Sequence, residues 1–425
     1  MKILVITRNA WDDTNSIGNT LSNFFSGIED IEFAAIYFRS AMPNNELCEV
    51  YYHTSEIEIM RKWFKPAQIG RHFFLNTEEK SRWGEVAEKK EKAMVRAIQK
   101  YGLTLAYKFS NYLWYSEKWI NDNLQGFIDS FAPDLMVTFV KSAPQYYLTI
   151  KYLRENYGIP LFSWIGDDEY TGLLKNRAQK EIQQLQYILD ESSVVRGCSE
   201  ELCQYYNTVF GCRAEPLYKG CDLSIAVKEK VNHPITIVYA GNLLYGRRDI
   251  LRDVSDVVES LSKDGMAVTF EIYSNTALSP SEVEKYFGSK NATSFMGKRA
   301  YSVIKQRLAS ADIVLHVESF EPDQILKTKY SFSTKIIDYL QSGSVLLAVG
   351  PREVASMKYI QRIPGTCVIN RLCQLQEELR ELLMEPSRFY HKAIEIRNFA
   401  QQHHDAPAVT KELAETFKKI VTGGV

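Results

Sequence analysis

The sequence lacks a membrane span, since no apolar run approaches the ~20 residues that cross a bilayer. Its opening run, MKILVIT, leads into no extended hydrophobic region or cleavage site, so no signal peptide is read. It also lacks an excess of either charge. Lys and Arg number 51 against 52 Asp and Glu, a formal net charge of -1, which argues against nucleic acid as the main partner. The seven cysteines are odd in number and carry no framework spacing. That excludes a disulfide scaffold and fits reduced thiols in a cytosolic protein. Cys198, Cys203, Cys212 and Cys221 cluster, but without C-x2-C spacing they read as small buried thiols rather than a zinc site. Internal repeats and low-complexity tracts are missing too. The expectation is a soluble, intracellular protein.

What is present is length and alternation. A chain of 425 residues exceeds one ordinary core and suggests two domains of about 200 residues. Strand-like apolar runs fall at 2–7, 31–38, 49–53, 134–140, 160–165 and 192–197 in the first half. In the second half they fall at 235–240, 267–273, 292–296, 312–317, 344–349 and 366–369. Helical segments lie between these at 248–262, 280–288, 301–310, 333–341 and 352–362. Continuous apolar strands interleaved with helices signify parallel sheets covered on both faces. The fold class is therefore α/β, with two Rossmann-like doubly wound domains. The first is placed at 1–217, with a helical insert at about 55–131, and the second at 218–406. A separate helix follows at 407–425.

The stretch YSFSTKIIDYLQSGSVLLAVGP, Tyr330 to Pro351, raises the functional question. Helix N-termini expose unpaired N–H groups and the positive end of the dipole, so they attract phosphate. Ser333 or Thr334 reads as the cap and Gly343 as the stop. Asp338 lies four residues beyond Thr334, on the same face and roughly 6 Å deeper, which suits a diphosphate on the first turn and ribose on the second. Lys335 in the first turn opposes the dipole, and AGNLLYGRRDIL puts Arg247 and Arg248 at a second helix start. Two helices opening with misplaced cations make sense if an anion lies between them, with Arg offering bidentate and Lys point-charge contacts. Plain capping and solvated arginines are the structural alternative.

YAGNLLYGRR (239–248) and STKIIDYLQSGSVLLA (333–348) resemble the GT-B glycosyltransferases, particularly the large retaining family four. There, a Gly-rich turn precedes basic residues, and a later S/T-K-I/L-x-E-Y-L-x-x-G-x-P-V-x-A segment follows. The resemblance implies two domains facing a cleft, with the final helix crossing back to the first domain. It implies that Gly241, Asn242, Ser333 and Thr334 line the nucleotide-sugar, that Arg247 or Arg248 and Lys335 contact its diphosphate, and that Asp338 replaces the usual glutamate on the ribose. Gly18, in the NSIGNT loop after the first strand, matches more weakly. The family often has a glutamate eight positions before the second acid, where this chain has Tyr330, leaving Glu318, Glu321 or Asp323 as candidates for holding the sugar. The expected proline is replaced, by Val345.

The implied activity is transfer of a sugar from a UDP- or GDP-sugar to a glycan or lipid-linked acceptor, with retention, in cell-surface polysaccharide or glycoconjugate synthesis. The nucleotide-sugar is then a co-substrate rather than a cofactor, and the cations make a metal unnecessary. On the acceptor side, PLFSWIGDDEY leaves Asp167, Asp168 and Glu169 just past a strand. Asp167 or Asp168 either binds acceptor hydroxyls or steadies positive charge at the anomeric carbon, or the acidic pair caps the next helix. His316, inside an apolar strand, reads as a core histidine. Trp63, Phe64, Trp83, Trp114 and Trp119 in the insert either pack helices onto the sheet or meet a lipid-linked acceptor as a peripheral membrane contact at the inner face. Two further function classes stay open: an epimerase acting on a UDP-sugar without an acceptor, and a non-catalytic nucleotide-sugar-binding subunit.

Overall fold

Strands rich in Val, Ile and Leu are buried along nearly their whole length, as sheets flanked by helices on both faces require. The computed structural model describes residues 1–39, 41–75, 104–288 and 290–424. The chain divides into two units, Met1–Leu217 with Thr410–Val425, and Tyr218–Val409. In the first unit the strands are β1 (Lys2–Thr7), β2 (Glu32–Tyr37), β3 (Val50–His53), β4 (Arg71–Phe74), β5 (Leu135–Phe139), β6 (Leu161–Ile165), β7 (Ser192–Gly197) and β8 (Ala214–Pro216). They form one sheet in the order β4-β3-β2-β1-β5-β6-β7-β8. Every pairing is parallel except β3 with β4.

The stretch 55–131 is not wholly helical, which corrects the sequence reading. Within it, β4 adds an antiparallel edge strand, and Phe73 stacks on Tyr51 with centroids 5.6 Å apart. Among the described residues of this stretch, helices Glu56–Arg61, Thr104–Tyr115 and Asp122–Phe131 account for much of the rest. Trp83, with the rest of 76–103, lies outside the described residues. Trp114 and Trp119 are core, 1% and 0% exposed, and meet Phe38 edge-on at 5.5 and 6.0 Å. Trp63 stacks on Tyr112, whereas Phe64 stands almost fully exposed.

The second unit holds β9 (Ile235–Ala240), β10 (Val268–Tyr273), β11 (Thr293–Gly297), β12 (Ile313–Val317), β13 (Val345–Val349) and β14 (Cys367–Ile369). Their order is β11-β10-β9-β12-β13-β14, all parallel. Counted within the unit this is 3-2-1-4-5-6, so the winding reverses between β9 and β12. In such sheets the crevice outside the carboxyl ends at the reversal takes the ligand. Helices Leu375–Met384 and Phe389–His403 cover this unit without having been named from the sequence. Helix Ala406–Val421 starts in the second unit, and from Thr410 belongs to the first, where Phe417 packs on Phe25 and Phe162. Among the described residues no helix is long and apolar enough to cross a membrane.

Candidate functional site at a sheet reversal

At the carboxyl end of β9 the chain turns through Gly241–Gly246 into helix Arg247–Lys263. A side chain at Gly241 would meet the Tyr239 hydroxyl at 2.5 Å. Gly246 has φ +75°, and a Cβ there would lie 2.5 Å from Ser319 Oγ. Glycine is therefore what lets this turn press against the loop after β12. Arg247 points across that junction. Its Nη2 donates to both carboxylate oxygens of Glu318 at 2.9 and 3.0 Å, and Nη1 donates to Asn242 Oδ1 at 3.1 Å. Glu318 is 1% exposed. Burial alone would raise its carboxyl. His316, with Nε2 3.2 Å from Oε1 but off the line of a hydrogen bond, and the Arg247 guanidinium outweigh that and hold it low. Glu318 is thus committed to Arg247, while Glu321 stands exposed at the start of helix Pro322–Thr328.

Arg248 does not share this crevice, contrary to the sequence expectation. One residue further round the helix, its guanidinium lies over the Tyr286 ring at 4.1 Å and reaches Glu282 at 4.0 Å. Adjacent helical residues diverge by about 100°, so only one of the pair can face the reversal point.

Helix Lys335–Leu340 brings the second cation. It spans six residues, and Thr334 at its start makes no side-chain cap bond, which corrects the expected Ser-Thr cap. Ser333 is instead held by its own amide, which donates to Ser356 Oγ. So short a helix sums few peptide dipoles, and the charge at its tip comes chiefly from Lys335. Tyr339 Oη donates to the carbonyl of Ala240 at 3.1 Å, fastening this helix to the carboxyl end of β9. Lys335 Nζ stands 3.6 Å from Asp338 Oδ2, and Tyr301 Oη donates to Oδ1 at 2.9 Å. Lys219 approaches the same carboxylate from the start of the unit; burial depresses its ammonium, Asp338 opposes this and Lys335 adds to it. Tyr301, Lys219 and Tyr339 were missed in the sequence. No motif marks Tyr301 or Lys219, and Tyr339, though inside the STKIIDYL segment, owes its bond to Ala240 to tertiary packing that the pattern does not show.

In the first unit the acidic run after β6 separates by role. Glu169 takes Lys141 Nζ at 2.7 Å, and the Ser142 hydroxyl and amide at 2.8 and 3.2 Å. These outweigh burial and hold its carboxyl below the usual range. Asp168 accepts from the Thr171 amide at 3.2 Å, as a helix-start side chain does. Asp167, 3.9 Å from Lys141, keeps 69% of its side chain open to solvent, yet desolvation by the surrounding protein, against Lys141 and with its two acidic neighbours, raises its carboxyl. Gly18 accommodates the chain itself, since a Cβ there would fall 2.1 Å from the Asp12 carbonyl oxygen. Among the described residues no group of three His, Cys, Asp or Glu could hold a metal, and Cys221 lies in a different unit from Cys198, Cys203 and Cys212.

No protein-family model matches the sequence, and no curated protein does. Solved structures do match its fold. Sucrose-phosphate synthase from Thermosynechococcus elongatus superposes with a TM-score of 0.64 at 9% identity, covering 99% of both chains. Anabaena Alr3699/HepE in complex with UDP gives 0.64 at 13% identity, covering 99% of this chain and 100% of that one. The UDP-forming α,α-trehalose-phosphate synthase from Burkholderia xenovorans, in complex with glucose-6-phosphate, gives 0.59 at 11%, over 98% and 99%. The chain has the GT-B fold of these glycosyltransferases.

Proposed function

We propose that the protein is a glycosyltransferase that takes a sugar from a nucleoside-diphosphate sugar and passes it to a glycan or lipid-linked acceptor, with retention as the resemblance implies. The observation that carries this reading is that both helices start from the same reversal: Tyr339 of the Lys335 helix bonds to Ala240 at the carboxyl end of β9, the strand that leads into Arg247, and Arg247 bonds to Glu318 just past β12. The diphosphate lies against Lys335 and the open donors of Arg247, with Gly241 and Asn242 forming the turn beside it. Asp338 takes the ribose hydroxyls, and Ser333 and Thr334 border the phosphate. When the bond from anomeric carbon to diphosphate breaks, negative charge grows on the departing oxygen. A fixed cation aimed there is worth ~3 kcal/mol, by analogy with single oxyanion donors, or about a hundredfold in rate. Arg248 has no part in this reading. Asp167, held near Lys141 at the carboxyl edge of the first unit's sheet, is the residue proposed to meet the acceptor, and Asp168 is reserved to its helix.

A nucleotide panel tests the proposal. A ligand that binds the folded state stabilises it by RT ln(1 + [L]/Kd), so one of UDP, GDP, ADP or CMP should raise the melting temperature well above the others. UDP heads the panel because HepE was crystallised with it. If none of the four shifts the transition at millimolar concentration, the donor site is misassigned. Product formed without any added acceptor would favour an epimerase, and neither transfer nor donor hydrolysis would favour a binding subunit.

A further inference from the structure

Tyr301 opens helix Tyr301–Ser310 at the carboxyl end of β11, on the same sheet edge as the reversal. Its two ends are treated differently. The residue is 49% exposed, yet its hydroxyl is spent on Asp338, which is only 9% exposed. Lys335 occupies the other carboxylate oxygen at 3.6 Å. The ring borders a groove with Ile225, Lys305, Leu308 and Gln341, and among the described residues no other ring stacks on it. About half of the residue stays open to solvent, so packing accounts for only part of an aromatic side chain here. Each part does suit a nucleoside diphosphate. A flat ring takes a base of any identity, a carboxylate accepts two vicinal hydroxyls, and an ammonium beside it takes phosphate.

We propose that Tyr301 is the nucleoside-reading residue of this site: its ring stacks on the base, and its hydroxyl holds Asp338 in position until the ribose hydroxyls replace it. The inference rests on the donor-site reading above and adds what selects a nucleoside diphosphate over a bare one. It sets two substitutions in opposite directions. Tyr301→Ala removes the stacking platform. Tyr301→Phe keeps the platform and removes the bond that ribose must displace.

The test is calorimetric titration of the wild type and both variants with UDP, GDP and ADP, and with inorganic pyrophosphate as the probe that has neither base nor ribose. Tyr301→Ala should weaken the nucleoside diphosphate about tenfold or more and leave pyrophosphate unchanged. Tyr301→Phe should bind it as tightly as the wild type or up to roughly fivefold tighter, the scale of one released hydrogen bond. Equal affinity in Tyr301→Ala, equal loss in both variants, or a parallel loss of pyrophosphate binding would overturn the inference while leaving the donor site standing. No binding of any nucleoside diphosphate by the wild type would overturn the donor reading, and this inference with it.

Discussion

Replacing Arg247 by leucine separates the structural work of this residue from its proposed chemistry. The Arg247 side chain is 13% exposed and that of Glu318 is 1% exposed, so the substitution leaves a carboxylate buried without its guanidinium. Breaking one side of such a pair costs about 3–5 kcal/mol, whereas replacing both partners with apolar groups of similar volume is often neutral. In a domain of this size each kcal/mol moves the midpoint by roughly 2–4 °C. Arg247→Leu should therefore lower the midpoint by roughly 6–20 °C, and the double variant Arg247→Leu/Glu318→Leu should recover most of the loss. The penalty should also shrink as the pH falls, because protonation neutralises the orphaned carboxyl. Calorimetric melts of the wild type and the two variants from pH 8 to pH 5 provide the assay. A single variant within about 1 kcal/mol of the wild type, or a double variant no better than the single, would refute the buried-pair reasoning.

Three further expectations follow from the same geometry. Lys335, nearly half exposed, contributes little to stability through its long 3.6 Å pairing with Asp338, whose carboxylate keeps Tyr301 as a donor. Lys335→Ala should melt with the wild type yet transfer sugar about a hundredfold more slowly, as a single-turnover assay would read. His404 is buried, which pushes its imidazole down to about 4 against the opposing Lys219 carbonyl, and its Nδ1 donates there at 3.1 Å. A folded-state value below the free one means the unfolded chain binds the extra proton. Stability present above pH 6.5 is then lost toward pH 4, by about 3 kcal/mol. His404→Gln should flatten that slope in the second unit, while the first unit keeps the one due to His53, lowered by burial to about 3. Gly246→Ala strains a φ of +75° and drives a methyl group toward Ser319 Oγ at 2.5 Å. It should cost at least about 1 kcal/mol in a denaturant midpoint.

The sheets were legible because buried parallel strands carry unbroken apolar runs, and ITIVYA at Ile235–Ala240 was read to the residue. The edges were not. Strand β4 has one buried residue in four, and β8 is three residues ending in Pro216, too little apolar content to stand out. Helix Leu375–Met384 was readable all the same, since Leu375, Leu379, Leu382 and Leu383 trace its buried stripe. The candidate site was half legible. Short-range chemistry showed in the sequence: a glycine turn before arginines, and a lysine one turn from an aspartate. Which arginine faces the crevice depends on how the helix is rotated against the sheet, and sequence pattern leaves that rotation free. Glu318, weighed as a ligand for sugar, is held by Arg247 because the loops after β9 and β12 touch at Gly246, a contact between residues 73 apart. Gly18, which matches the family only weakly, has the Asp12 backbone against it where a side chain would stand.

Calorimetric titration of UDP into the wild type, Lys335→Ala and Arg248→Ala measures the central claim most directly, since two cations at neighbouring helix starts are assigned opposite roles. The expected result is clear weakening in Lys335→Ala, with Arg248→Ala matching the wild type. Arg248→Ala losing affinity while Lys335→Ala retains it would contradict the assignment of the diphosphate to the reversal between β9 and β12.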